Sequence, residues 1–206
     1  GLFEQAGSSL NLYTDRHVDR NLLGFDVPAS VFQSINSIFI ITLAPLFAAL
    51  WIWLGKRGWE PSTPAKFGLA LIQLGLGFLL LVAGAMAAGS GNATPVIFIF
   101  GIFLLHTTGE LCLSPVGLSA MSKLSLPRMM SLVMGVWFLA TSAGDYIAGM
   151  IAAMIGNEGA ESGDQVAAFL GAYRMVGGIA IGVGALVLLL APVIRRWMHE
   201  VETSST

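Results

Sequence analysis

The sequence predicts an all-α membrane protein, and three observations predict it. Of its 206 residues, 55% are hydrophobic and only 11% charged, where a soluble globular chain carries roughly 25% charged residues. Mean hydropathy is +0.79. The apolar residues gather into runs long enough to cross about 30 Å of hydrocarbon, separated by loops rich in Gly, Pro and charge. Glycine is frequent, as expected where helices approach closely in lipid.

The elements follow in order. Leu2 to about Tyr13 is apolar-polar and too short to span, so residues 1–13 read as the end of a truncated transmembrane helix, and the chain as the C-terminal piece of something larger. Residues 14–26 form a polar extracytoplasmic loop. Residues 27–196 carry five spans, at about 27–54, 67–88, 95–121, 129–155 and 166–194. Pro45 falls inside the first and predicts a kink. The stretch GKRGWEPSTPAK, Gly55 to Lys66, is a turn, and GSGNAT, Gly89 to Thr94, a tight loop. SKLSLPR, Ser122 to Arg128, and GNEGAESGD, Gly156 to Asp164, separate the later spans. Residues 197–206 are a polar cytoplasmic tail.

Basic residues set the expected orientation. If the spans alternate, Lys56, Arg57, Lys66, Lys123, Arg128, Arg195 and Arg196 share one side, which the positive-inside rule makes cytoplasmic. Arg16 and Arg20 fall on the other side, with Glu158, Glu161 and Asp164. With the first helix counted, the bundle has six helices and a cytoplasmic C-terminus.

One residue points to chemistry. Glu110 lies near the middle of the third apolar run, in GELCLSP, Gly109 to Pro115. A carboxylate at that depth costs about 3 kcal/mol, so a chain retains it where a cavity or a partner receives it. The reading is transport. His106, Glu110 and Ser114 are spaced four apart and share a helix face, which fits a cavity wall and also a polar seam between helices. Pro115 removes a helix hydrogen bond beside them. A bridge from His106 to a backbone carbonyl is the other reading of that residue.

Other polar residues in the spans carry two readings each. Glu4 and Gln5 are intramembrane if the first segment ends a spanning helix, and exposed terminal residues otherwise. Gln33 and Asn36, three apart, fit either an interhelical hydrogen bond or a binding surface. Trp137 lies deeper than an interfacial Trp usually does, which favours a cavity lining, with Thr141 one turn on. Asp145 is a second carboxylate in the fourth span. Arg174 is close enough to the end of the last span to snorkel outward. Gly178 and Gly182 form a GxxxG, a close-packing signal.

Several classes find no support. A net charge of −2 suggests no nucleic-acid surface. A single cysteine, Cys112, excludes an intrachain disulfide. No secretory signal peptide is evident. No metal-ligand cluster, phosphate-binding loop or nucleophile elbow is evident, so no metal, cofactor or enzyme activity is expected. A membrane enzyme or structural subunit remains the non-transport alternative.

FEQAGSSLNLY (Phe3 to Tyr13), FQSINSIFIITLAPLFAALW (Phe32 to Trp51), GELCLSPVGLSAMSKL (Gly109 to Leu124) and MGVWFLATSAGDYIAG (Met134 to Gly149) resemble the C-terminal half of the proton-dependent oligopeptide transporters, a family of the major facilitator superfamily. The resemblance covers essentially the whole chain. It implies one six-helix half of a major facilitator fold in the bacterial inner membrane, docking on a missing N-terminal half, with substrate held at midplane between the halves. It implies proton-coupled symport of di- and tripeptides by alternating access; a carrier of nitrate or another small solute is the alternative. By resemblance, Glu110 pairs with the peptide amino terminus and a lysine of the other half, and Glu4 is the proton-coupling carboxylate. Asn36 contacts the peptide backbone, and Ser114, Trp137 and Phe138 line the pocket. Where the family often has Asn after Gly144, this chain has Asp145, leaving open a further proton site.

Overall fold

The structure, a computed structural model, describes residues 1–22, 24–89, 92–124, 129–162 and 164–203, with the side chains of 22, 114–124, 158–162 and 197–203 outside the description. The expectations for the side chains of Ser114, Lys123, Glu158 and Glu161, and for Arg128, lie outside the described residues.

A 3₁₀ turn at Phe3–Ala6 leads into α1 (Ser9–His17). The expected single helix end is broken at Gly7 and Ser8, because a Gly/Ser pair offers weak helix propensity and the Ser8 hydroxyl donates to the Glu4 carbonyl (3.0 Å). Two-residue strands β1 (Val18–Asp19), β2 (Asn21–Leu22) and β3 (Phe25–Asp26) follow. β2 and β3 form an antiparallel pair. β1 pairs in parallel with β4 (Thr94–Pro95). Arg20 pins this loop, pairing with Asp15 (3.4 Å) and donating to the Val27 carbonyl (3.2 Å).

α2 (Ala29–Phe32) and α3 (Ser34–Lys56) together make one apolar segment, and α3 continues through Pro45. Gly58, with φ +70°, turns the chain, and α4 (Thr63–Ala88) opens with Pro64 in its first turn, where a missing N–H costs nothing. α5 (Ile97–Leu124), α6 (Met130–Ser162) and α7 (Gln165–Thr203) complete the chain. α6 and α7 outrun the apolar stretches at 129–155 and 166–194, because helix propagation adds one hydrogen bond per residue once nucleated. Among the described residues, 29–56, 63–88, 130–157 and 165–196 are long and apolar enough to cross a membrane.

α4 sits at the centre, packing most extensively on α7 and α5, while α3 packs on α5 and α6 on α7. Glycine spacing builds this arrangement. Gly68 and Gly75, seven apart, face α7: an ideal Cβ at Gly75 would lie 2.6 Å from the Gly177 carbonyl oxygen, and one at Gly68 2.8 Å from that of Gly184. Gly77 and Gly84, also seven apart, face α5, where their Cβ atoms would meet His106 at 2.9 Å and Phe98 at 2.3 Å. In lipid, helices associate through such close backbone approach rather than through burial of apolar surface. The expected GxxxG does not take part: Gly178 and Gly182 have no described neighbour within 4 Å of a Cβ.

The core gathers Tyr13, Phe78, Phe169 and Tyr173, with Tyr13–Phe169 and Phe78–Tyr173 ring centroids 5.4 and 5.3 Å apart. α3 and α6 contribute little to it. None of the most apolar window of 29–56 is buried, and Ile41, Leu139 and Tyr146 are exposed.

Candidate functional site

Glu110 and Asn36 meet where α5 crosses α3. Asn36 Nδ2 donates to Glu110 Oε2 at 3.3 Å. The Thr107 hydroxyl lies 2.6 Å from Asn36 Oδ1 and 2.7 Å from the Phe103 carbonyl, one proton serving two acceptors. Thr107 is fully buried, while Asn36 and Glu110 are half-buried. Thr107 and Glu110 are three apart on α5, so both face α3. The arrangement is a short relay: a buried hydroxyl orients an amide, and the amide presents its N–H to a carboxylate. Among the described residues no cation pairs with Glu110. The carboxylate thus keeps accepting capacity for a cationic or N–H-bearing ligand.

Thr107 is the member that reading the sequence missed. The available signal was its three-residue spacing from Glu110 within an apolar run.

A second polar chain ties the N-terminal segment to the bundle. Gln5, buried, donates from Nε2 to the Ala148 carbonyl of α6 (3.5 Å) and accepts from the Ser9 hydroxyl. Tyr173 of α7 donates to Ser9 Oγ (3.2 Å). Every side chain in this chain is buried, which suits a structural tie between α1, α6 and α7.

The other predicted residues separate. His106 is buried, 3% exposed, against Phe78 (centroids 4.9 Å) and Phe3 (6.3 Å). Its ring nitrogens make no hydrogen bond; the Leu74 backbone faces the ring outside hydrogen-bond geometry. It therefore packs on α4 rather than lining one surface with Glu110. Glu4, Gln33, Phe138 and Asp145 are exposed, and Trp137 is half-buried. Among the described residues the carboxylates of Glu4 and Asp145 have no hydrogen-bond partner. Thr141 donates to the Trp137 carbonyl (3.1 Å), so its hydroxyl serves its own helix. Ser114 lies in α5 one turn beyond Glu110.

At one end of the bundle Lys66 is buried in the first turn of α4, paired with Glu60 and lying over the Trp51 ring at 4.4 Å. At the other end His17 has its pKa lowered, chiefly by burial and then by Arg16, with Asp164 opposing. No group of three or more His, Cys, Asp and Glu among the described residues is placed to hold a metal ion.

Comparison with known proteins identifies the family. The chain is 38% identical over 198 residues to an uncharacterized transporter of Bacillus subtilis, YclF, covering 96% of this chain and 38% of that protein. It is 37% identical over 207 residues to the peptide transporter YePEPT of Yersinia enterocolitica, covering 99% and 39%. A crystal structure of a peptide transporter POT variant with alafosfalin superposes with TM-score 0.80 and 32% identity over 95% of this chain and 39% of that one. A POT family transporter in complex with 5-aminolevulinic acid gives TM-score 0.79 and 28% identity, covering 94% and 39%. The chain spans about two-fifths of the length of these relatives. The model describing the POT family matches residues 1–168. The chain is an all-α integral membrane protein in part, and it belongs to the POT family, the oligopeptide transporters its motifs resemble.

Proposed function

We propose that the full protein imports di- and tripeptides with protons, and that this chain supplies one wall of the central site. The observation that carries the reading is the Asn36–Glu110 contact, a half-buried carboxylate at a helix crossing held by a neutral amide rather than by a cation. A peptide ammonium offers Glu110 a stronger, charge-assisted partner than the amide does. The amide of Asn36, released, then faces the peptide backbone. Trp137, Phe138 and Ser114 line the pocket in this reading, and Glu4, exposed and with no partner among the described residues, takes the coupling proton. His106, Gln5, Gln33 and Asp145 are candidates of lower rank: His106 is occupied by packing and Gln5 by its hydrogen bonds, whereas Gln33, at the junction of α2 and α3, and Asp145, on α6, are exposed.

The linkage is electrostatic. The charge of a bound peptide changes the proton affinity of a nearby carboxylate, and by reciprocity the proton changes the peptide's affinity. The unburied apolar faces of α3 and α6 are where the rest of the protein packs, so that this half and the other rock about the site. The five spans predicted from sequence, with the basic loops and the C-terminus cytoplasmic and the whole in a bacterial inner membrane, complete the reading. The protein is then a carrier and not a catalyst. None of the relatives reported above is named for nitrate.

Counterflow and proton-driven uptake of a labelled dipeptide, measured per folded protein in proteoliposomes, test this. Glu110→Gln is expected to lose both, because the ammonium loses its partner. Glu4→Gln is expected to lose uphill uptake and keep exchange, which needs no net proton movement. Unchanged binding and uptake in Glu110→Gln would overturn the assignment, and equal loss of both activities in Glu4→Gln the division of roles.

A further inference from the structure

A cavity of about 520 Å³ lies where α1, α6 and the start of α2 meet. That volume falls within the roughly 300–1,000 Å³ of small-ligand sites. Its polar lining is Ser8, Asn11, Asp15, Arg20 and Ser30, with Ala152 contributed by α6. Ser8, Asn11 and Asp15, three and four apart, share one face of the α1 segment. None of these residues belongs to the Thr107–Asn36–Glu110 cluster.

The lining carries unspent polar capacity of both kinds. Asn11 Oδ1 is buried and has no hydrogen-bond partner among the described residues, an unmet acceptor of a sort that folded proteins rarely keep. Asp15, its side chain 56% exposed, approaches Arg20 at 3.4 Å through one oxygen, and its other oxygen keeps accepting capacity. Arg20 turns Nη1 to Asp15 and to the Val27 carbonyl, while Asp26 comes only within 4.0 Å of Nη2. Nε and Nη2 therefore keep donors for another acceptor. A carboxylate and an unmet amide oxygen thus stand beside a guanidinium in one cavity. A lone anion would meet the Asp15 charge there and a lone cation the Arg20 charge, whereas a small zwitterion matches both.

The position of the cavity relates it to the central site. Ser8, in its wall, donates to the carbonyl of Glu4 one turn earlier. On α6, Ala152, Asp145 and Phe138 are seven apart and share a face, and Asp145 and Phe138 are exposed. Fourteen residues of helix rise about 21 Å. The cavity therefore lies about that far along α6 from Phe138, toward the loop 14–26 that the sequence reads as extracytoplasmic.

We propose that this cavity is an entry subsite for the peptide. The ammonium rests on Asp15 and Asn11 Oδ1 and the carboxylate on Arg20, and the peptide then passes along the exposed face of α6 to the central site. The inference rests on the reading of the full protein as a peptide importer.

Initial uptake rates of labelled alanylalanine and of alanylalanine amide, which lacks the carboxylate, test it in proteoliposomes, measured per folded full-length protein. Arg20→Gln is expected to lower kcat/KM for alanylalanine about tenfold, the loss of one charge-assisted hydrogen bond, and to leave the amide unchanged. Arg20→Lys, which keeps the charge, is expected to recover most of the rate. Asn11→Leu is expected to lower kcat/KM for both substrates about fivefold and to spare N-acetylalanylalanine, which lacks the ammonium; it carries the test should Arg20→Gln fold poorly. The Kd of alanylalanine at the central site is expected to be unchanged in each variant. Equal losses for alanylalanine and for the derivative lacking the matching charge, or no loss in either variant, would overturn the proposal and leave the importer reading standing. So would a lowered unfolding temperature at unchanged rates, which would assign the cavity to packing against the rest of the protein. Absence of alanylalanine uptake by the wild type would overturn the importer reading, and this proposal with it.

Discussion

Replacing Thr107 by Val tests whether the relay works as one unit. The change keeps the shape and removes one hydroxyl from a fully buried position. It deletes the 2.6 Å contact to Asn36 Oδ1. The Phe103 carbonyl, also 2.7 Å from that hydroxyl, keeps its place in the helix ladder. The loss is then one neutral hydrogen bond, about 1 kcal/mol, with an amide oxygen left short of a donor. Asn36 is only half-buried, so its oxygen recovers part of this from other donors. About 1 kcal/mol in peptide binding is about fivefold in Kd. The assay is a double-mutant cycle of Thr107→Val with Asn36→Ala in the full-length protein, reading dipeptide Kd by calorimetry and thermal unfolding alongside. Thr107→Val is expected to weaken binding about fivefold in the wild type and to do nothing further in Asn36→Ala, because the hydroxyl acts through the amide. Additive effects, within about 0.3 kcal/mol, would refute the idea that Thr107 positions Glu110 through Asn36.

Three further outcomes follow from the packing and the charges. Gly75→Val is expected to lower the unfolding temperature sharply, since its Cβ would sit 2.6 Å from the Gly177 carbonyl oxygen and overpacking costs about 1–3 kcal/mol or more; Gly178→Ala, with open space around it, should be neutral or stabilising, and a like loss in both would contradict the seam. Glu60→Gln should destabilise more than Lys66→Met, because it strands a buried ammonium, though the exposure of Glu60, 44%, keeps the difference to about 1 kcal/mol; chemical or thermal unfolding of the pair decides it. His17 has its folded-state pKa lowered from 6.5 by burial and Arg16, so below that value the unfolded chain binds the proton more readily and stability falls as pH drops through 6.5. His17→Gln should flatten that part of the unfolding-temperature profile, and an unchanged slope would show that other groups cause it.

Length, polarity and hydropathy determined the helical segments of this chain, because a continuous apolar run of about 20 residues crosses about 30 Å of hydrocarbon as a helix, which satisfies its backbone within the segment, whereas a barrel strand needs only about 10 residues. The same physics exposed Glu110: one carboxylate in an apolar run stands out whatever the fold around it. Asn36 was visible as a polar residue and acquired a role only by resemblance, since a single amide at a helix start has several structural uses. Which faces pack was not legible. Apolar residues look alike whether they meet lipid or another helix, because neither contact is favoured by transfer from water. Gly178 and Gly182 therefore matched a packing motif and lie open, while Gly68, Gly75, Gly177 and Gly184, at seven-residue spacing, form the seam. His106 likewise shares a helix with Glu110, yet the rotation of α5 against α4 turns it into an aromatic pocket beside Gly77 and Phe78. Thr107 is an ordinary residue in the sequence. Only the crossing of α3 over α5 brings its hydroxyl within 2.6 Å of Asn36, because the register of two helices in lipid is set by the shapes of their surfaces rather than by their hydropathy.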